Sequence, residues 1–380
     1  MKLLNISLAI VWLLGVFSCS MEDDTIMNDM ENSIEETTGE MYTAINFGLE
    51  FTEMATKSTS VEGGGFESAE GDSENRKEKT ISSFDIFLLE NNKIISIIRN
   101  NAQIAGEDIN DIKLKSSEFI TKYKIGRTLN AYIVVNATVY DKTGYTITYD
   151  PFSSVKIGDD KDQINQQISD HLTAESLIKV GDEIITIDDT FPKESSPKVF
   201  TKDCQPKNIK VTVSHVAARL DFSNFSCTLN GFSEGATVKL VSAEFRNIQN
   251  KGYINGEEYS TFSPVDAVAL ENEMTVAGSI NPKLRAYSYR SQSLTKDGHE
   301  QHVELFVKFE VKDNSVTKTF EKAYTINPPA SGKNVDHNYV MGGYLYNIEV
   351  NWTITPTWAD SSIEFYTRDW EHESLEDVVL

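Results

Sequence analysis

The chain has 380 residues, and 58 acidic side chains against 35 basic ones leave a formal net charge of -23. That balance argues against nucleic acid or anionic lipid as a partner, since both are bound by positive potential. Aromatic residues at 10%, with abundant β-branched residues, favour sheet.

At the start, Lys2 precedes an apolar run from Ile6 to Phe17 that closes on Gly15-Val16-Phe17-Ser18-Cys19. The run is too short to cross a bilayer and ends at a small residue, the pattern of a secretory signal over residues 1–18. A cysteine placed there is the acceptor position of bacterial lipoproteins, so Cys19 is the expected lipidation site and the outer membrane the expected anchorage. Bulky Phe17 departs from the usual pattern, and a plain signal peptide cut nearby is the alternative. Residues 19–41 are acidic and lack hydrophobic periodicity, which predicts a flexible tether. Roughly 360 residues then remain, enough for two ordinary domains.

Ile45, Phe47, Leu49 and Phe51 alternate strictly and predict a half-buried strand within Tyr42 to Met54. Lys57 to Lys79 holds Gly63-Gly64-Gly65 and many Ser and Glu residues, and predicts an exposed, mobile loop. Ile81 to Leu89 and Ile94 to Ile98, separated by Asn91-Asn92, predict a hairpin. Ala131 to Ala137 is a continuous apolar run of the kind found in mid-sheet strands. Asp160 to Leu177 carries Ile164, Ile168, Leu172 and Leu177 at near-helical spacing and predicts one short helix.

Val211 and Val213 share one phase, whereas Val216, Ala218, Leu220 and Phe222 sit on the other. A bulge or a crossing between sheets is therefore expected near Ser214. Further strands are predicted at Thr237 to Phe245, Leu284 to Tyr289, Val303 to Val311, Val316 to Ile326, Tyr344 to Thr355 and Ile363 to Trp370. The expected fold class is all-β with minor helix: two tandem β-sandwich domains of mostly antiparallel strands, residues 42–206 and 207–380.

Cys204 and Cys227 are left once Cys19 is lipidated. Strand between them, at about 3.3 Å per residue, would hold the thiols apart unless the chain folds back. A disulfide and two free buried thiols both remain open. His299 and His302 lack the spacing of a zinc-protease helix, and Glu107 with Asp108 to Asp111 lacks the glycine and terminal glutamate of a calcium loop. No nucleophile elbow, phosphate loop or dinucleotide fingerprint is present, and neither an enzyme activity nor a cofactor or metal is expected. Trp352, Trp358 and Trp370 with Tyr344, Tyr346 and Tyr366 are read as core or strand residues ahead of a glycan-stacking platform.

Four segments resemble the fimbrillin family of Bacteroidetes, the type V pilins. These are Ile-Asn-Phe-Gly-Leu-Glu-Phe-Thr-Glu-Met-Ala-Thr-Lys (Ile45 to Lys57), Phe-Asp-Ile-Phe-Leu-Leu-Glu-Asn-Asn-Lys (Phe84 to Lys93), Tyr-Ile-Val-Val-Asn-Ala (Tyr132 to Ala137) and His-Val-Ala-Ala-Arg-Leu-Asp-Phe (His215 to Phe222). Ser20-Met21-Glu22-Asp23-Asp24 is similar to the tag that carries lipoproteins to the outer face of the outer membrane in the same bacteria, an ordinary solvated linker being the alternative.

The resemblance implies a fimbrial subunit whose first strand is cut out by a trypsin-like protease and whose groove is filled by a strand of another subunit. Carried onto this sequence, the removable strand is Ile45, Phe47, Leu49 and Phe51, and the processing candidates are Lys57, Arg76, Lys77 and Lys79 within a sensitive loop at 57–80. The donor stretch is 344–380, with Ile363, Phe365, Tyr366 and Trp370 as its apolar face. Partners implied are other fimbrial subunits, the protease, the outer membrane before processing, and a host or glycan ligand at the cell surface. The alternative is a monomeric surface lipoprotein that binds glycan or host protein.

Overall fold

The computed structural model describes residues 40–51, 77–104, 112–114, 117–141, 143–144, 146–170, 172–197, 205–257, 259, 267–270, 272–290, 294–296, 299–326, 340–357 and 359–369. The first alternating segment forms β1 (Tyr42–Phe51). β2 (Ile81–Glu90) and β3 (Lys93–Ile104) make the expected hairpin. Its turn residues Asn91 and Asn92 take positive φ, 52° and 65°, the backbone that a two-residue type I′ turn requires and that asparagine tolerates.

Short strands β4 (Ile112–Lys113) and β5 (Phe119–Lys122) follow, then β6 (Thr128–Val135). β7 (Val139–Tyr140) and β8 (Ile147–Tyr149) form a separate ribbon. The near-helical spacing from Asp160 to Leu177 yields only α1 (Lys161–Asn165), followed by β9 (Ile168–Ser169) and a tight turn at Ala174–Ser176. Asp160 makes no side-chain cap. Its carboxylate instead accepts from Lys93 Nζ at 2.9 Å, so the helix starts without the hydrogen bond that would favour a longer one.

β10 (Lys179–Thr186) and β11 (Lys207–His215) complete an eight-stranded sheet of order β3-β2-β6-β10-β11-β1-β4, with β5 also paired to β1. β6 lies mid-sheet, as its unbroken apolar run requires. Leu129, Ala131, Ile133 and Val135 join one core with Ile45, Phe47, Leu49, Phe84, Ile86, Val211 and Val213. Tyr132 and Val134 face a second core with Phe87, Phe152, Ile164, Val216 and Tyr289.

β12 (Ala218–Leu229) belongs to a different sheet. The change of apolar phase near Ser214 thus marks the passage between sheets, at Val216-Ala217. β11, which begins at Lys207, lies in the first sheet and buries Val211 and Val213 in the first core. Gly342 packs on this passage, where a Cβ would collide with the Val216 carbonyl.

The remaining strands are β13 (Thr237–Arg246), β14 (Gly252–Tyr253), β15 (Val268–Ala269), β16 (Met274–Val276), β17 (Ser279–Ile280) and β18 (Leu284–Ser288). After them come β19 (Leu294–Lys296), β20 (His299–Gln301), β21 (Glu304–Asp313), β22 (Val316–Thr325), β23 (Tyr344–Ile354) and β24 (Ala359–Asp369). Two five-stranded sheets result. One has the order β17-β12-β23-β24 with β18 on β12, the other β15-β13-β21-β22 with β16 on β13. Their apolar residues, among them Leu220, Phe222, Leu240, Phe245, Phe309, Ile348 and Val350, share one core, which makes this half a sandwich. Its aromatic centre sets Phe309 edge-on to Trp352 at 4.9 Å and beside Phe225 at 5.3 Å.

The first sheet also buries a charge. Asp85 on β2 is wholly buried, accepts from Thr138 Oγ1 at 2.7 Å, and lies 3.3 Å from Arg99 Nε. Arg99 spends its hydrogen bonds elsewhere, on Asp150 Oδ2 at 2.6 Å and the Phe152 carbonyl at 3.0 Å. Burial therefore wins and pushes the Asp85 pKa up to about 7, against the pull of Arg99 and Thr138. A carboxyl that titrates higher folded than unfolded favours folding while protonated. This contribution is complete below an unfolded pKa of about 4 and is lost as pH rises toward 7. Asp85→Asn cannot ionise, so its stability relative to wild type should rise by about 2 kcal/mol from pH 5 to pH 8 in urea unfolding. A variant that instead loses ground as pH rises would show that Arg99 keeps the carboxylate charged.

Candidate functional site

The strand that the fimbrillin resemblance implies is removable is clasped on both edges. On one side β1 runs parallel to β11, from Ile45 opposite Lys207 to Phe51 opposite Val213. On the other it runs antiparallel to β5 and β4, with Ile45 opposite Phe119 and Leu49 opposite Ile112. Between those two short strands Leu114 N–H donates to the Phe47 carbonyl at 3.1 Å, and Phe47 N–H donates to Ser117 Oγ at 3.1 Å. The end of β1 is tied by Tyr42 and Glu194, which exchange main-chain bonds of 2.8 and 3.0 Å.

The burial of β1 exceeds what its alternation predicts. Ile45, Phe47 and Leu49 fill the first core, while Tyr42 and Ala44 on the opposite face are covered as well. At roughly 1.5–3 kcal/mol each, the three core side chains contribute about 5–9 kcal/mol. No partner of β1 is its neighbour in sequence. β2, the next strand along the chain, lies across the sheet with β6, β10 and β11 between them.

The predicted loop lies outside the described residues up to position 76, and the described chain resumes at Lys77 in a second, polar construction. Composition predicts an exposed loop through Lys79; Lys77 is exposed, but Lys77 and Glu78 have helical backbone and Glu78 is 1% exposed. Its carboxylate accepts from Tyr287 Oη at 2.6 Å and Arg219 Nη1 at 3.0 Å, with Arg285 Nη1 at 3.4 Å. Asp221 balances the second guanidinium, accepting from Arg285 Nε at 2.7 Å and Arg219 Nε at 2.9 Å. Arg219 and Asp221 lie on β12, opposite Tyr287 and Arg285 of β18.

Burial opposes the charge on Arg219, yet the Glu78 and Asp221 carboxylates outweigh it and raise the pKa. Burial, then the Glu78 carboxylate, push the Tyr287 hydroxyl up, so it remains a donor. With two carboxylates against two guanidiniums the cluster is balanced, and loss of one member would strand buried charge at a cost of about 3–5 kcal/mol.

The main chain here is pinned too. Thr80 N–H donates to the Lys77 carbonyl at 2.9 Å, and the Glu78 carbonyl lies 3.3 Å from His215 Nε2. Asn136 Nδ2 donates to Thr80 O at 2.8 Å and Leu177 O at 3.1 Å, while its Oδ1 accepts from Ser82 N–H at 2.7 Å. Lys179, fully buried, adds Nζ to Thr80 O at 3.3 Å and Leu177 O at 3.0 Å.

Cys19, Lys57, Arg76, Cys204, Trp358 and Trp370 lie outside the described residues, as do Glu107 and Asp108 to Asp111. Lys77 is exposed and 3.6 Å from Glu175 Oε1; Lys79 is half-buried. The expected donor stretch divides in two. β23 is an inner strand whose Tyr346, Ile348, Val350 and Trp352 fill its own core, whereas β24 pairs with β23 at the sheet edge. Ile363, Phe365 and Tyr366 are on β24, opposite Val350, Ile348 and Asn347.

Burial of Tyr346 and Trp352 removes them from any glycan platform. Cys227 is a buried free thiol whose pKa burial pushes up to about 11. Among the described residues, no group of three or more His, Cys, Asp or Glu is placed to hold a metal. Sequence reasoning did not find Glu78, Asn136, Lys179, Arg219, Arg285 or Tyr287. The available signals were Arg219 inside an apolar strand segment and an asparagine closing the β6 run.

No family model matches the chain, and no curated protein matches it in sequence. Its fold recurs in solved structures. A protein assigned to cell adhesion from Parabacteroides distasonis ATCC 8503 is 14% identical, with a TM-score of 0.51, over 86% of this chain and 97% of that one. A second protein of the same assignment and organism is 10% identical, with a TM-score of 0.51, over 87% and 99%. The tip fimbrial protein Mfa3 from Porphyromonas gingivalis, with C-terminal truncation, is 8% identical, with a TM-score of 0.43, over 85% and 99%. Identities this low establish a shared fold, and the two P. distasonis structures carry it.

Asn136 offers a separable test of the junction, because its φ of 64° and its amide bonds both favour asparagine. Asn136→Gly should lose about 1–3 kcal/mol in urea unfolding as the amide contacts disappear. Asn136→Ala should lose about 1 kcal/mol more, through the left-handed backbone. Equal stability of the two variants would contradict the backbone part of this account.

Proposed function

We propose that this chain is a structural subunit of a cell-surface fimbria, related to the fimbrillins. On this reading it is exported as a lipoprotein through Cys19, held at the outer membrane, cut by a trypsin-like protease and polymerised by donor-strand exchange. One observation carries the reading: β1 is a core strand paired on both edges with segments remote in sequence. Its excision breaks no hairpin and leaves a slot between β11 and β4/β5 lined by Val211, Val213, Leu114 and Phe119.

The energetics explain why an exchange is needed. The apolar contribution of β1, about 5–9 kcal/mol, is comparable with the whole stability of an ordinary domain. A cut alone does not release such a strand; a replacement with a matching apolar face must take its place, adding main-chain bonds as it enters. β24 is suited to this as an edge strand. It repeats the Ile-x-Phe step of β1, Ile363-Glu364-Phe365 against Ile45-Asn46-Phe47. The fimbrillin-like segments and the fold shared with cell adhesion proteins support the same reading, with other fimbrial subunits as partners and adhesion to a host or glycan ligand as the outcome.

Trypsin added to the purified chain should produce a ladder of SDS-resistant oligomers. A chain truncated after Asp360 should fold, because β23 keeps β12 on its other edge, and should give no ladder. No ladder from the full chain would favour a monomeric surface lipoprotein that binds glycan or host protein; a ladder from the truncated chain would show that β24 is not the donated strand.

A further inference from the structure

We infer that Glu78 is a stop that fixes where processing ends: the Lys77–Glu78 and Lys79–Thr80 bonds resist trypsin-like cleavage in the folded chain, and the matured subunit keeps Glu78. The inference deepens the processing proposed above and takes its biological meaning from it. Its basis is local geometry. A protease of this class binds several residues on each side of the scissile bond in extended form, so the segment must leave its place before it is cut.

Around these two bonds nearly every group is held. The Lys77 carbonyl, which a cut after Lys77 would attack, accepts from Thr80 N–H at 2.9 Å within a turn. Glu78 is buried against Arg219 and Tyr287 at 3.0 and 2.6 Å. The Thr80 carbonyl accepts from Asn136 and Lys179, and Ser82 N–H donates to Asn136. Extending the chain at Lys79 would draw Glu78 out and leave Arg219, 7% exposed at its side chain, facing Asp221 without its second carboxylate.

A cut after Lys79 would also place Glu78 on the departing fragment, leaving that deficit permanently in the body of the protein. A cut upstream of Lys77 avoids it. The new N-terminal segment would then remain fastened to β12 and β18, so that losing β1 does not loosen the start of β2. Basic side chains are thus insufficient to mark the cut, and of the four processing candidates Lys77 and Lys79 are excluded despite their sequence.

The test is limited trypsin digestion of the full chain, followed by N-terminal mass determination of the resistant body. The expected body begins at Lys77 or upstream; a body beginning at Glu78 or Thr80 overturns the inference. Glu78→Gln should raise cleavage at Lys79–Thr80 by about tenfold or more, since cleavage follows the population of the opened segment. If that variant fails to fold, Tyr287→Phe, which removes one hydrogen bond and no charge, should give a smaller increase at the same bond. No increase in whichever variant folds overturns the inference. Oligomer formation is scored separately: its absence counts against the proposed function, whereas the position of the new N-terminus reports on Glu78 alone.

Discussion

The pairing of β1 with β11 on one edge and β4/β5 on the other is the constraint on which the first half of the molecule depends. A strand in that position supplies Ile45, Phe47 and Leu49 to a core otherwise built from β2, β6, β11 and the short strands. Without it, two rows of main-chain groups would face each other across a gap, and an unpaired strand edge is a template for another chain. Among the described strands its partners are β11, β4 and β5, so its place in the sheet rests on pairings distant in sequence.

The junction around Glu78 has the opposite character. Glu78, Arg219, Arg285, Asp221 and Tyr287 join segments up to 209 positions apart in sequence, and they hold the entry to β2 against the outer side of the second sandwich. Apolar contacts would tolerate sliding of the chain there, whereas charge-assisted bonds to a planar guanidinium fix one position. Asn136 and Lys179 extend the constraint to the next main-chain groups. The molecule therefore sets a strand paired on both edges in the first sheet apart from a junction fixed by buried charge.

Much of this was legible in the sequence. Strict alternation gave β1, Asn91-Asn92 gave the hairpin, the unbroken run at Tyr132 to Val135 gave a mid-sheet strand, and the phase change beyond Val213 gave the crossing between sheets. β10 was hidden because its hydropathy runs against its burial: Lys179 is fully buried while Ile184 is 67% exposed. The helix is shorter than the apolar spacing from Asp160 to Leu177 suggests, ending at Asn165 before Ile168–Ser169 turns to strand. Glu78 carried no signal at all, since a single buried acid in a chain of 58 acidic residues is distinguished only by the two arginines that folding brings to it.

The central claim is that the slot between β11 and β4/β5 is filled by β1 in the monomer and by a strand of another subunit in the polymer. Mass analysis of subunits dissociated from purified polymer tests it most directly. The account predicts subunits that lack Tyr42 to Phe51 and retain the chain from Glu78 onward, including Ala359 to Asp369. Polymer whose subunits still contain Tyr42 to Phe51 would contradict it.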